Sequence, residues 1–214
     1  MHEILTRAPD GQIFMGDKRL CDDAWAWSPA RLGDDGATPV TATEALTGLA
    51  RDRRLQQLVL GVIGPRAAAP EQLDAAEAIG AQLGALGLTV ICGGRSGVME
   101  AVCKGVCDGG GLPIGILPGT DPAEANPFVA IPLTTGLAEA RNIVIVRAAR
   151  VLIAVGTSPG TLTEVAYGLH FGKPVIGIAG AAELDGVRHT HTPQEAVDAA
   201  LHCLFASLPM REAS

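Results

Sequence analysis

Val151-Leu-Ile-Ala-Val155-Gly156-Thr157-Ser158-Pro159-Gly160-Thr161-Leu-Thr-Glu164 is the stretch whose reading decides the fold. Its first five residues form an unbroken aliphatic run of the kind that parallel sheets bury on both faces. Gly156 stops the run, and a turn of hydroxyls, proline and glycine leads into a helical pattern from about Thr161. Strand, turn and helix start in that order bring unpaired backbone N–H groups and the positive end of a helix dipole to the end of the strand. Phosphate is the expected guest of such a turn.

The same construction occurs upstream, where Leu88-Thr-Val-Ile-Cys92 runs through Gly93-Gly94-Arg95-Ser96-Gly97 into Val98-Met99-Glu100. Two such loops in one chain point to a nucleotide or phosphate ligand. Neither loop ends in Gly-Lys-Ser/Thr, so no lysine is placed to reach terminal phosphates, and neither carries Gly-x-Gly-x-x-Gly. ATP hydrolysis and ordinary NAD binding are therefore disfavoured.

Around these loops strands and helices alternate from Leu58 onward. Leu58 to Ile63 reads as a strand, Glu71 to Leu86 as a helix, Leu88 to Cys92 as a strand and about Ser96 to Val106 as a helix. Leu112 to Leu117 is a third strand, Phe128 to Ile131 a short one, and Leu137 to Ala149 a helix. The Val151 strand, a helix from Thr161 to Phe171 and a strand from Pro174 to Ile178 follow. Thr192-Pro-Gln-Glu195 is a capping box that opens a last helix to about Ser207. This succession predicts an α/β fold with a Rossmann-like, doubly wound, mainly parallel sheet.

Composition agrees. Hydrophobic residues make up 48% of 214 and aromatics only 3%, so aliphatic side chains must fill the core. A net charge of −7 argues against a nucleic-acid surface, and anionic ligands must be held by local arginines and helix ends. The five cysteines are odd in number and mostly in apolar segments, as expected of reduced thiols in a cytoplasmic protein. Cys103 and Cys107 lie one helical turn apart, and apolar packing is preferred to a thiol pair there. No apolar run approaches a membrane span of ~20 residues, and no signal peptide is expected at Met1-His-Glu. His189-x-His191 lacks a recognisable third metal ligand and reads as a solvated loop, so no metal is expected.

Residues 1–55 read as a small β appendage with a linking helix, and 56–208 as the Rossmann domain. Gln12 to Met15 and Ala24 to Trp27 are β-prone, with Trp25 and Trp27 on one face of a strand. Thr41-x-x-Glu44 caps a helix to about Arg54. The tryptophans suit a mini-core that packs this arm on the main domain, or else a lid or subunit contact.

At Gly93-Gly-Arg-Ser-Gly-Val-Met-Glu-Ala-Val102, Thr135-Gly-Leu-Ala-Glu-Ala-Arg-Asn142 and Gly156 to Glu164, the chain resembles the Lonely Guy (LOG)-like Rossmann superfamily, over about residues 57–207. The wording Gly-Val-Met-Glu-Ala-Val, Gly-Ile-Leu-Pro-Gly and Glu-Ala-Arg-Asn is similar to the molybdenum-cofactor-carrier branch. That resemblance implies a binding protein for a phosphorylated pterin or nucleotide. The alternatives are a nucleoside 5′-monophosphate phosphoribohydrolase and a nucleotide-sensing regulatory or scaffold protein. In the hydrolase reading the catalytic pair falls on Arg141 and Glu164, with Gly160 and Thr161 beside it. The phosphoribohydrolase Pro-Gly-Gly lead is here Gly156-Thr157-Ser158-Pro159, and Asn142 stands where those enzymes usually carry lysine.

The expected ligand-binding residues are Gly64 and Arg66 after the first strand, and Gly93, Gly94, Arg95, Ser96, Gly97, Val98 and Met99 in the second loop. Thr135, Arg141 and Asn142 join them, with Gly156, Thr157, Ser158, Gly160, Thr161 and Glu164. Glu164 has a plainer reading, since Thr161-x-x-Glu164 is itself a capping box. No cofactor is required; a molybdenum cofactor or nucleotide monophosphate is the expected bound molecule. A homo-oligomer, dimer or tetramer, is expected, with neither nucleic acid nor membrane as partner.

Overall fold

The aliphatic runs and amphipathic helices read from the sequence assemble into a seven-stranded, all-parallel sheet covered on both faces. The computed structural model describes residues 3–21, 25–33, 36–47 and 53–211. An antiparallel sheet comes first in the chain, made of β1 (Leu5–Arg7), β2 (Ile13–Met15), β3 (Lys18–Cys21), β4 (Ala26–Pro29) and β5 (Thr38–Pro39), in the order β4-β3-β2-β1-β5. Helix α1 (Ala42–Thr47) follows. The parallel sheet comprises β6 (Val59–Ile63), β7 (Thr89–Cys92), β8 (Leu112–Leu117), β9 (Ile131–Thr134), β10 (Val151–Val155), β11 (Val175–Ile178) and β12 (Val187–His189). Its helices are α2 (Pro70–Ala85), α3 (Val98–Asp108), α4 (Asn142–Ala148), α5 (Pro159–His170) and α6 (Pro193–Ala206).

The sheet order is β12-β11-β10-β6-β7-β8-β9. The chain starts in the middle, builds outward through β9, then returns to β10 and builds the other way. The reversal lies between β6 and β10, and open α/β sheets bind ligands at the carboxyl ends of strands flanking such a switch point. Helices α2, α3 and α6 share the larger core on one face, with Leu60, Val62, Val90 and Ile153 beneath them. Helices α4 and α5 cover the other face over Ile63, Ile91 and Leu152. No helix among the described residues is long and apolar enough to cross a membrane.

Several expectations are corrected. The short strand expected at Phe128 to Ile131 is shifted to Ile131–Thr134, because Asn126 accepts Phe128 N–H at 3.1 Å and holds that residue in a turn. Strand β12, read as loop, pairs with β11 at the sheet edge; His189 ends it, 3.4 Å from Glu183. In the arm, β1, β3 and β5 were not expected.

Trp25 and Trp27 do not share a strand face. Trp25 has φ 45° and lies in the turn before β4, whereas Trp27 lies within β4. Both rings are buried, and the Trp27 indole N–H donates to Phe205 O at 2.8 Å while its ring packs on Phe205. Trp27 is thus part of a core between arm and α6. Trp27 N–H also donates to Pro209 O at 2.8 Å, and Arg211 N–H returns to Trp27 O at 2.7 Å. The capping box at Thr41 forms as expected, Glu44 accepting Thr41 N–H at 2.8 Å. Only Ala42–Thr47 is helical before residues 48–52, which lie outside the described residues, and Arg53–Gln57 is a 3₁₀ turn.

Candidate functional site

Because all seven strands are parallel, the loops after β6, β7, β8 and β10 emerge at one edge. They surround a cavity of 780 Å³. The turns at Gly93 and at Gly156 leave β7 and β10, the two neighbours of β6, so their strands stand roughly 10 Å apart across it.

Arg141 reaches this cavity through a break in the chain. A continuous helix over Leu137 to Ala149 was expected, but residues Ala138–Arg141 form a 3₁₀ turn and α4 begins only at Asn142. Ala138 adopts φ 48°, a left-handed conformation that costs an L-residue about 1 kcal/mol, and its N–H is anchored to Pro118 O at 3.0 Å. The tight turn carries Arg141 inward. Its Nη1 donates to Ile116 O at 2.9 Å, while its buried Nε has no partner. Gly93 makes room, since a Cβ there would strike both the guanidinium and the Met99 sulfur. The space that Gly93 leaves open is therefore filled by the Arg141 and Met99 side chains.

Burial pulls the Arg141 pKa below the usual guanidinium value; Arg66 and Arg95 add to this, and Glu164 opposes it. Three cations thus converge on one cavity, and a guanidinium stays charged in proteins. Arg95 is paired with Glu124 at 3.2 Å. Glu164 is 6% exposed, and burial pushes its carboxyl up to about 7 against the pull of Arg141. It is no cap for its helix: the N-cap of α5 is Ser158, whose Oγ accepts Thr161 N–H at 3.1 Å.

This cap alters the expected anion site. Pro159, at the first helical position, has no N–H, and the Thr161 amide is engaged by Ser158. Of these first three helical residues only Gly160 retains an amide unclaimed by the cap. Positive charge in the cavity therefore comes chiefly from arginines. Asn142 is buried and donates to Thr163 Oγ1 at 3.0 Å, joining α4 to the start of α5.

Of the expected site residues, Gly64, Arg66, Gly93, Arg95, Met99 and Arg141 line the cavity, as do Asn142, Thr157, Ser158, Gly160, Thr161 and Glu164. The others lie outside the lining. Gly94 abuts Gly115 on β8, Gly97 abuts the Pro65 and Arg66 carbonyls, and Gly156 lies against Gln72. Val98 is buried with its N–H on Pro65 O, and Ser96 is exposed outside the lining. Thr135 donates its hydroxyl to Leu117 O at 2.7 Å and shapes a turn instead.

Glu124, Glu139, Pro118 and Gly119 also line the cavity and were missed. Gly-Ile-Leu-Pro-Gly marks the exit of β8, and that position was the available signal. Buried Asn126 was missed too; its Nδ2 donates to Arg95 O at 3.0 Å and its N–H to Gly94 O at 2.9 Å, fixing the second loop. Beneath that loop the close thiols are Cys92 and Cys103, 3.4 Å apart, whereas Cys107 is exposed and donates to Phe128 O. Among the described residues no group of three or more His, Cys, Asp or Glu is arranged to hold a metal ion.

The fold and site are those of an open, doubly wound α/β protein with three arginines in a cavity at its switch point. The chain belongs to the SLOG cluster4 family, which it matches over residues 57–203. It is 35% identical over 154 residues to an uncharacterized protein of Archaeoglobus fulgidus, covering 72% of this chain and 99% of that one. It is also similar to the molybdenum cofactor carrier protein of Chlamydomonas reinhardtii, at 38% identity and TM-score 0.63, over 70% of this chain and 99% of that one. The molybdenum cofactor binding protein of Rippkaea orientalis is 34% identical with TM-score 0.63, over 66% of this chain and 93% of that one. The N-terminal arm lies outside the family match.

Proposed function

We propose that this chain binds a phosphorylated pterin or nucleotide in the switch-point cavity, as a carrier of molybdenum-cofactor type. The observation that carries this reading is Arg141, a buried cation with an unpartnered Nε in a cavity shared with Arg66 and Arg95. A buried donor without an acceptor is unfavourable, and a phosphate oxygen would satisfy it. The cavity volume is within the range that holds a cofactor-sized molecule. The two carrier and binding proteins, matched over nearly their whole length, support the pterin class. Native mass spectrometry of protein isolated from cells making molybdenum cofactor should find a one-to-one complex; only free protein there, with no uptake of added cofactor, would refute the reading.

A hydrolase is the second reading, favoured by Glu164, whose carboxyl is poised near neutrality beside Arg141. Against it stands the α5 cap, which removes amides that would hold phosphate and fills the turn with Thr157, Ser158 and Pro159. Displacing reacting groups by about 1 Å costs ~100-fold in rate. Incubation with AMP is expected to release little or no ribose 5-phosphate. Rapid release that Glu164→Gln abolishes would establish the enzyme instead.

We also propose self-association through α4 and α5. The outward face of α5 presents Leu162, Thr163, Ala166, Tyr167 and His170, and Leu137 is exposed nearby in sequence to α4. A helix face without formal charge on an acidic protein suits contact with a second copy. Light scattering should give at least twice the 21.9 kDa chain mass; a monomer at micromolar concentration would contradict this.

A further inference from the structure

A second groove of 440 Å³ adjoins the cavity and shares Arg66 with it. Ala68, Leu73, Ala101 and Phe128 provide its apolar surface, and Glu77, Glu100 and Lys104 its charged rim. Glu77 and Lys104 pair with each other, and no such pair engages Glu100 or Arg66 among the described residues. Arg66 forms the boundary between the two compartments, and on its groove side lies Gly97, where the start of α3 touches the Pro65 and Arg66 carbonyls too closely for any Cβ. Arg66 is exposed on that boundary, open to an anion from either side.

A cavity that holds three arginines, joined to a partly apolar groove, fits a ligand whose anionic group is flanked by a flat ring. We infer that the groove is a nucleobase subsite, so that the full ligand is of dinucleotide type. Its phosphates lie on Arg66, Arg95 and Arg141, one ring system fills the main cavity, and a base lies against Phe128 with its N–H edge toward Glu100. Aromatic surface favours bases of any kind, and the free carboxylate favours one rich in N–H donors.

This inference rests on the phosphate site proposed above, and the two are separable by calorimetry on the full chain. Inorganic pyrophosphate probes the arginines alone, while ADP and GDP probe arginines and groove together. Both nucleotides should bind about tenfold or more tighter than pyrophosphate, GDP the tighter. Ala101→Phe and, independently, Ala68→Phe should fill the groove and erase that gain while leaving pyrophosphate affinity unchanged. Equal affinities for pyrophosphate and nucleotides, or a gain that survives both substitutions, would overturn the subsite and spare the phosphate site. If none of the three probes binds, both readings fall together.

Discussion

Replacing Arg141 by alanine is expected to weaken pyrophosphate binding tenfold to hundredfold while the protein remains folded. Three features set that size. The guanidinium is held by Ile116 O at Nη1, so little freedom is lost when an anion arrives. Its Nε is buried and unpartnered, so a ligand oxygen gains a donor that is already desolvated. A charge-assisted hydrogen bond of this kind contributes ~1.5–3 kcal/mol, which is the stated range in affinity. Arg141→Lys should restore only part of the loss, because an ammonium cannot keep the Ile116 contact and present a second donor in the same plane. Calorimetry checks both variants. Unchanged affinity in the alanine variant would remove Arg141 from the site.

Glu164→Gln should change how stability depends on pH. In the unfolded chain the carboxyl ionises near 4.5, but in the folded protein burial delays ionisation to about 7. Below both values the group is neutral in either state and contributes nothing. Between them the folded state holds the extra proton, so stability falls as pH rises, and above about 7 the full penalty of a buried carboxylate is present. At about 1.4 kcal/mol per pH unit the penalty is on the order of 3 kcal/mol. Glutamine never ionises. Urea unfolding should therefore show the variant gaining on the parent by up to about 3 kcal/mol between pH 5 and pH 8. A difference that stays flat would mean Glu164 titrates as an ordinary surface carboxylate. An anion bound beside Glu164 prefers its neutral form, so phosphate affinity should also decline above neutrality.

The parts of the fold that depend on neighbours in sequence were legible. Short, mostly apolar runs followed by glycine gave β6, β7 and β10, because burial on both sheet faces leaves a strong local pattern, while a helical period gave α2 and a capping box gave α6. Arg141 and Glu164 could be named from spacing and resemblance. Their setting could not. The inward turn at Arg141 depends on Ala138 in a left-handed conformation, held by a carbonyl twenty residues away at Pro118, and nothing local announces that contact. The start of α5 was read two residues late, at Thr161 instead of Pro159, because two hydroxyl residues compete as the cap. Thr161-x-x-Glu164 has the capping-box spelling, yet Pro159 marks the first helical residue and so identifies Ser158. Strand β12 has only three residues, two of them exposed, too few for alternation to show. Gly97, read as a ligand contact, is instead required by the carbonyls of the neighbouring loop.

The contacts of Trp27 impose an order in time on this chain. The arm is synthesised before the parallel sheet, yet the acceptor for its indole, Phe205 O, and the backbone partners of β4 at Pro209 and Arg211 come about 180 residues later. Until those residues are made, Trp27 lacks its hydrogen-bond acceptor and the face against which it packs. Much of the intervening sheet can close on local crossovers in the meantime, because β6 and β7, β7 and β8, and β10 and β11 are each joined through one helix. The arm is thus made before the sheet yet reaches its final packing after it, a wait during which the Trp27 indole depends on provisional company.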